Sequence, residues 1–301
     1  MPKNAYVLLL LTALFWGGNA VAGKLAVGHV SPMTLTALRW VLGLAVLGAI
    51  GWRQLVQDWP VVQRHLPFLL LLGTVGFTLF NAALYSALTM TSAINVSIEQ
   101  AAIPMIIILF NFLLFRQRVT WVQLLGLAFS VVGVALTASH GDLTRLAELD
   151  VNFGDALMIG AVFVYAGYTL ALRFRPDIHW KSFMIVLSAA AFVTSLPFLA
   201  WEMQTDRFIL PDMRGWLLVL YTALFPSVLA QIFYLRGVET IGPNRAGLFV
   251  NVVPIFGTLL SILLLGEAFM PHHAVALALV LGGIWMAEVS GRRLAARTSG
   301  V

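Results

Sequence analysis

The chain contains no cysteine, which excludes disulfides, thiolate metal sites and cysteine nucleophiles. Charge is scarce as well: 10% of the 301 residues are Asp, Glu, Lys or Arg, against about 25% in an ordinary soluble domain. What fills the space is apolar, at 60% of the sequence and a mean hydropathy of +0.92. A soluble fold of this composition would lack the polar surface to cover itself, so lipid is the expected solvent. The formal net charge is +5. Its basic residues are scattered over short connectors and form no patch or stripe, which argues against a nucleic-acid partner.

Apolar runs of about 20 residues are long enough to cross a hydrocarbon core as helices. They are read at 5–27, 33–51, 67–88, 92–115, 120–138, 153–173, 182–201, 214–235, 244–265 and 271–290. Turn chemistry separates them at Ser31-Pro32, Trp59-Pro60, Arg175-Pro176-Asp177, Pro211-Asp212 and Gly242-Pro243-Asn244. Most connectors are short and leave no room for a soluble domain. Lys3, the first apolar run and Ala20-Val21-Ala22 imitate a signal peptide with its cleavage site. The run is long, however, and carries Trp16-Gly17-Gly18-Asn19, so it is read as a first span.

With a cytoplasmic N-terminus, the inside segments hold Lys3, Arg53, Arg64, Arg116, Arg118, Arg173, Arg175, Lys181, Arg236, Arg245, Arg292, Arg293 and Arg297. The outside segments hold only Lys24, Arg145, Arg207 and Arg214, and Arg39 falls within a span. This partition follows the positive-inside rule and predicts that both termini are cytoplasmic. Asp142, Glu148, Asp150, Glu202, Asp206 and Asp212 take the other side, while Trp52, Trp59, Trp121, Trp180, Trp201 and Trp216 sit near span ends as an interfacial belt.

A repeat at an offset of 150 residues pairs Pro104 with Pro254, Gly133 with Gly283, Gln117 with Glu267 and Phe15 with Tyr165. The expected fold is therefore an all-α integral membrane protein, its ten transmembrane helices forming two inverted five-helix repeats around a central cavity. Residues 1–138 form the first repeat, 139–152 a periplasmic connector, and 153–301 the inverted second repeat with a cytoplasmic tail. Five is odd, so the second copy must enter from the opposite side. Inverted repeats of this kind recur in secondary transporters with a site near the midplane.

Trp16-Gly17-Gly18-Asn19 with Lys24, Pro32 and Arg39, then Gly154-Asp155, Tyr165-Ala166-Gly167-Tyr168, Pro254 and Gly266-Glu267 follow in a familiar order. In these the chain resembles the drug/metabolite transporter superfamily, specifically its EamA-type members. The likeness covers nearly the whole chain and departs at Gln117, where the family usually has a Glu like Glu267. It implies export of small metabolites across a bacterial inner membrane. Length and aromatic content are most similar to the amino-acid exporter branch, which implies amino acids, aromatic ones included, as cargo.

Glu99 is the one acidic residue read as lying well inside a span, and Asn95 shares its helix face. A charge at mid-membrane costs about 2.5–3.5 kcal/mol on insertion scales. Glu99 is thus either a substrate or proton site, or a shallow carboxylate reaching water. Pro104 and Pro254 each remove a helix hydrogen bond beside Gln100 and Asn251, as a hinge or as a static kink. Polar and aromatic faces form at Trp16 and Asn19, at Asn81 and Tyr85, at Tyr165 and Tyr168, and at Gln231 and Tyr234. Such walls suit an amphipathic small molecule; interhelical packing is the alternative for any single tyrosine. Gly126, Gly133 and Gly282-Gly283 are expected to let helices approach closely.

Residues 18–25 imitate a phosphate loop, with Leu25 where a hydroxyl is required, but lie in a span rather than after a strand. No ATP, cofactor or metal is therefore expected; the partners are a small-molecule substrate and the bilayer. An embedded enzyme would need clustered ionisable groups. His29, His65, His140, His179, His272 and His273 instead fall at connectors, so the chain is read as no enzyme. A carrier of another metabolite or drug, or a channel or receptor, remains compatible with composition alone.

Overall fold

The computed structural model describes residues 2–117, 119–142 and 152–298, without the side chains of 2, 3, 243, 244 and 291–298. Arg118, Arg145, Glu148 and Asp150 of the charge partition lie outside the described residues, as does most of the 139–152 connector. The same holds for the side chains of Lys3, Arg292, Arg293 and Arg297.

Among the described residues all regular structure is helical. Ten stretches are long and apolar enough to cross a membrane: α1 Asn4–Leu25, α2 Pro32–Arg64, α3 Leu66–Leu88, α4 Ala93–Phe115, α5 Trp121–Ala138, α6 Phe153–Phe174, α7 Trp180–Glu202, α8 Met213–Ile241, α9 Gly247–Leu265 and α10 Pro271–Ser290. Large apolar side chains crowd their outer surfaces, with Leu114 68%, Leu263 75% and Trp121 82% exposed. Helices that are apolar on every face need lipid rather than water around them.

The expected break at Trp59-Pro60 is absent, and Pro60 lies inside α2. Gly51, Leu55 and Val62 form a buried stripe that holds the extension against the bundle. At about 1.5 Å per residue, 33 residues reach about 50 Å. That exceeds a hydrocarbon core of about 30 Å, so the last turns stand where water can satisfy the carbonyl that Pro60 frees. The chain turns instead at His65. α8 likewise outruns its expected end at 235 and continues to Ile241.

Two kinds of feature recur at the 150-residue offset. α3 and α8 each contain a π-helical turn, Thr74–Leu79 and Phe225–Leu229. α4 and α9 end in a left-handed residue, Arg116 (φ 51°) and Gly266 (φ 66°), 150 positions apart (266 − 116). The following amides close back in the same way, Gln117 N–H donating to Asn111 O at 3.3 Å and Glu267 N–H to Ser261 O at 3.4 Å. Each bond joins residues six apart, one more than the six-to-one bond of a Schellman motif, so both helices end in the same widened turn.

Glycines set the tightest helix contacts. A Cβ on Gly126 of α5 would run into the carbonyl of Gly283 on α10, and one on Gly133 would stand 2.8 Å from Ala276 O. Gly17 of α1 is equally close to α9: a Cβ there would stand 2.7 Å from Gly257 N and 2.8 Å from Val253 O. Gly282, read with Gly283 as a packing residue, has no such neighbour within 4 Å.

Connectors after odd-numbered helices share one end of the bundle, here the odd face, and those after even-numbered helices share the even face. Polar contacts tie the odd face together. Glu202 accepts from Met33 N and Thr34 N (3.0 Å each) and Ser31 Oγ (2.6 Å) at the start of α2. Glu267 accepts from Ala93 N (2.8 Å) and Ile94 N (2.9 Å) at the start of α4. Lys24 Nζ donates to Leu88 O (2.9 Å) and Thr91 O (2.7 Å) past the end of α3. Acids at helix N-termini and a cation at a C-terminus are the favourable pairings with helix dipoles. His29 Nδ1 meets Asp212 Oδ2 at 2.7 Å and links the α1–α2 and α7–α8 connectors.

Two outcomes follow for stability in detergent. Gly126→Val should lower the thermal midpoint through an overpacking cost of about 1–3 kcal/mol, whereas Gly282→Ala should leave it unchanged; equal midpoints for the two variants would refute the contact. Asp212 is held below the ordinary carboxylate range by the Gly215 N–H and then by the His29 ring. A depressed folded-state value stabilises above the unfolded carboxylate value of about 3.9 and is lost as pH falls through the folded one. Asp212→Asn should therefore lower the midpoint at neutral pH, with the difference from wild type closing in acid.

Candidate substrate cavity

A cavity of about 450 Å³ lies among the helices, within the usual range for small-molecule sites. α1, α2, α3, α4, α6, α7, α8, α9 and α10 all contribute walls, and α5 buttresses α10 from outside. The cavity extends to Arg175 and Trp180 at the even face. Toward the odd face it ends beneath a buried layer that includes Leu84, Tyr85, Leu88, Ile94 and Ile98.

That inner end is organised by Arg39, about 10 Å into α2 and 5% exposed. Its Nε donates to Ser227 Oγ (2.6 Å), and its Nη1 to Asn19 Oδ1 (3.0 Å), Asn81 Oδ1 (2.6 Å) and the Tyr85 hydroxyl. Tyr85 in turn donates to Asn19 Oδ1 at 2.9 Å. The π turns shape this knot: Asn81 is braced by its bond to Phe77 O (2.7 Å) and Ser227 by its bond to Thr222 O (2.8 Å). π turns commonly mark functional sites because they aim side chains that a regular helix would misplace. Every acceptor around Arg39 is neutral. Among the described residues no carboxylate lies within 4 Å of the guanidinium, so its charge is solvated by the protein without being cancelled.

Aromatic rings form the walls. Trp40 stacks on Phe77 at 4.5 Å, Phe80 meets Tyr165 at 4.7 Å, Tyr165 meets Tyr168 at 5.4 Å, and Trp16 meets Tyr234 at 5.5 Å. Trp16 Nε1 is committed to Pro226 O at 3.2 Å. Asn251 Nδ2 donates to Glu288 Oε1 at 2.9 Å.

Of the residues singled out from sequence, Trp16, Asn19, Asn81, Gln100, Tyr165, Tyr168, Gln231, Tyr234 and Asn251 line the cavity, together with Pro104 and Pro254. Neither proline sits within an unbroken helix. Pro104 opens the segment Ile103–Phe115 after a turn at Ala101-Ala102, and Pro254 opens Val253–Leu260 after the 3-10 stretch Gly247–Val252. Tyr85, Asn95 and Glu99 lie behind the wall. Tyr85 supports Asn19 and Arg39, and Asn95 Nδ2 reaches Thr91 Oγ1 (3.2 Å) and Asp155 Oδ1 (3.3 Å). Glu99 is fully buried, so it does not reach water, and among the described residues neither carboxylate oxygen has a hydrogen-bond partner.

Two polar residues escape the sequence reading. Asp155, in the first turn of α6, is fully buried as Glu99 is, though it stands near a helix end and not well inside a span. That position in the sequence hides its burial. Arg39 is visible in the sequence as the one cation within a span, which is a functional signal in its own right.

The family model described as "EamA-like transporter family" matches the chain twice, over residues 3–139 and 152–288. The chain is similar to "Uncharacterized transporter YetK" of Bacillus subtilis (strain 168), 28% identical across 96% of this chain and 88% of that protein. It is similar also to "Uncharacterized inner membrane transporter YicL" of Salmonella typhimurium, 24% identical across 97% and 98% of the two chains. A protein of known crystal structure shares the fold at a TM-score of 0.64 and 22% identity, covering 97% of this chain and 99% of that one. Ten apolar helices and two matches to a single transporter unit make this a multi-pass membrane protein, and it belongs to the EamA-like transporter family.

Proposed function

We propose that the chain is a secondary transporter that exports small carboxylate-bearing metabolites, aromatic amino acids foremost, across the inner membrane by alternating access. The observation that carries this reading is the uncancelled guanidinium of Arg39 at the end of an aromatic cavity. An intramembrane cation with no counter-ion among the described residues calls for an anion from outside the protein, and Arg matches a carboxylate in a fork geometry. Trp40, Phe77, Phe80 and Tyr165 then offer apolar and ring contacts to the remainder of the molecule.

In this reading 1–138 and 153–301 are two five-helix units of opposite orientation, joined by a periplasmic connector, with the cavity central between them. The matched π turns and helix ends support the repeat. Arg64, Arg116, Arg173, Arg175, Lys181, Arg236 and Arg245 gather at the even face, which the positive-inside rule assigns to the cytoplasm together with both termini. The cavity then opens inward, and the contacts of Lys24, Glu202, Glu267 and His29 with Asp212 seal the periplasmic side. Export requires that seal to part while the even face closes, with α4 and α9 bending where Pro104 and Pro254 already interrupt them.

Counterflow in proteoliposomes tests this with labelled phenylalanine, tyrosine and leucine, and with the cation putrescine as the contrasting probe. Wild type should exchange the carboxylates, and Arg39→Gln should slow that exchange at least about tenfold, the equivalent of about 1.4 kcal/mol. Exchange of putrescine alone, or equal rates in wild type and Arg39→Gln, would sink the reading.

A further inference from the structure

From the buried carboxylates behind the cavity wall we infer that Glu99, served by Asp155 and His140, is a proton-binding site that couples transport to the proton gradient. The inference deepens the transport reading above and rests on it for the coupling, though not for the site.

Glu99 lies about 9 Å into α4, six residues beyond Ala93. It is fully buried, and neither carboxylate oxygen has a partner among the described residues. Asp155 on α6 is likewise buried, its Oδ2 without a hydrogen bond among the described residues. Asn95, one turn before Glu99 on the same face of α4, reaches its Oδ1 at 3.3 Å, which sets the two acids on neighbouring helix faces. An ionised carboxylate in such a place bears the full cost of desolvation, while the neutral acid escapes most of it. Two adjacent buried carboxylates also resist being ionised together.

The first half of α4 packs against α1, α3, α5, α6, α9 and α10, and their charged groups are otherwise engaged. Lys24 is bound to main-chain carbonyls, Tyr85 to Arg39 and Asn19, Glu267 to the α4 terminus, Glu288 to Asn251, and His273 Nδ1 to Met270 N–H. His272, next to His273, and Asp142 stand at the odd-face ends of α10 and α5. None supplies Glu99 with a hydrogen-bond partner. A proton is therefore the ligand that fits.

A row of polar groups leads toward that site from the odd face and ends one helical turn short of it. His140, 43% exposed, places Nε2 at 3.7 Å from Asp155 Oδ2. Asp155 accepts from Thr91 and Asn95, and Asn95 lies one turn before Glu99. On the other side, Ser97 and Gln100 of the same helical segment line the cavity. In the proposed route His140 takes up a proton from the odd face and hands it to Asp155, which passes it to Glu99 as α4 moves. Asn95 orients Asp155 and does not itself carry the proton. The proton leaves toward the cavity side when α4 bends, and no other bond is made or broken.

Two measurements on the full-length protein test the site and the coupling separately. Infrared titration in lipid should show a protonated carboxyl band in wild type at neutral pH, where exposed acids, titrating at about 4, are ionised, and Glu99→Gln should remove it. A wild type without that band, or a Glu99→Gln protein that keeps it, overturns the site. In proteoliposomes a gradient of one pH unit should concentrate labelled phenylalanine up to about tenfold per coupled proton, and Glu99→Gln should abolish that accumulation. His140→Asn, which removes the imidazole and tolerates the left-handed backbone at this position (φ 52°), should slow it. Accumulation that ignores the gradient, or that survives Glu99→Gln, overturns the coupling. Absence of phenylalanine counterflow in wild type would instead fail the transport reading and leave the infrared result to decide the proton site.

Discussion

Inside a bilayer the main chain finds no water, so every buried amide, carbonyl and polar side chain needs a partner supplied by the protein. The whole architecture follows from that constraint. It forces the ten spans to be helical and leaves their ends as the places where polar chemistry must be arranged. Glu202 and Glu267 satisfy the free amides that open α2 and α4, and Lys24 satisfies carbonyls past the end of α3. These are end caps, yet each joins two helices distant in sequence. The groups that solve the hydrogen-bonding problem also tie one face of the molecule together.

The same constraint gives meaning to the exceptions. Among the described residues Arg39 has its hydrogen bonds but no counter-charge, and Glu99 has neither. Neutral groups such as Trp40 Nε1, Ser130 Oγ, Ser188 Oγ and Thr258 Oγ1 are also buried without a partner among the described residues. A charged group costs far more to leave incomplete, so Arg39 and Glu99 call for something that completes them. The two differ in what completes them: a guanidinium exposed to a cavity admits a molecule, whereas a carboxylate sealed behind the wall admits only a proton. Close helix packing at Gly126, Gly133 and Gly17 makes the surrounding frame stiff, so motion is concentrated where hydrogen bonding is already broken. Those places are the turn at Ala101-Ala102 before Pro104 and the 3-10 stretch before Pro254.

Much of this was legible in the sequence, because hydropathy reports solvent directly. The ten spans could be read from runs of apolar residues, and most cavity-lining polar residues from their position within those runs. The extension of α2 was not legible, since Pro60 is a strong local signal and the stripe of Gly51, Leu55 and Val62 outweighs it only through tertiary contact. The π turns leave no compositional trace, and with them the aim of Asn81 and Ser227 was hidden. Arg39 was conspicuous as a cation within a span, but its role depends on residues 20, 42, 46 and 188 positions away. Asn95 and Glu99 share a helix face as expected, yet that face meets α6 instead of the cavity, a choice made by packing that periodicity does not encode.

The segment Ala93–Gln100 gathers these threads. Its amide end is held by Glu267, its middle carries Asn95 and Glu99 against Asp155, and Ser97 and Gln100 present its other side to the cavity. Just beyond it the helix is interrupted at Ala101-Ala102. An eight-residue helix moves as a rigid rod, so in the proposed cycle none of these contacts can change alone. Parting the odd face pulls Ala93 and Ile94 from Glu267, and that same displacement separates Glu99 from Asp155 and reshapes the wall that Gln100 provides. Seal, proton site and substrate cavity are thereby linked through one short helix. The link requires no long-range network, only that Ala93–Gln100 remain helical while the turn before Pro104 does not.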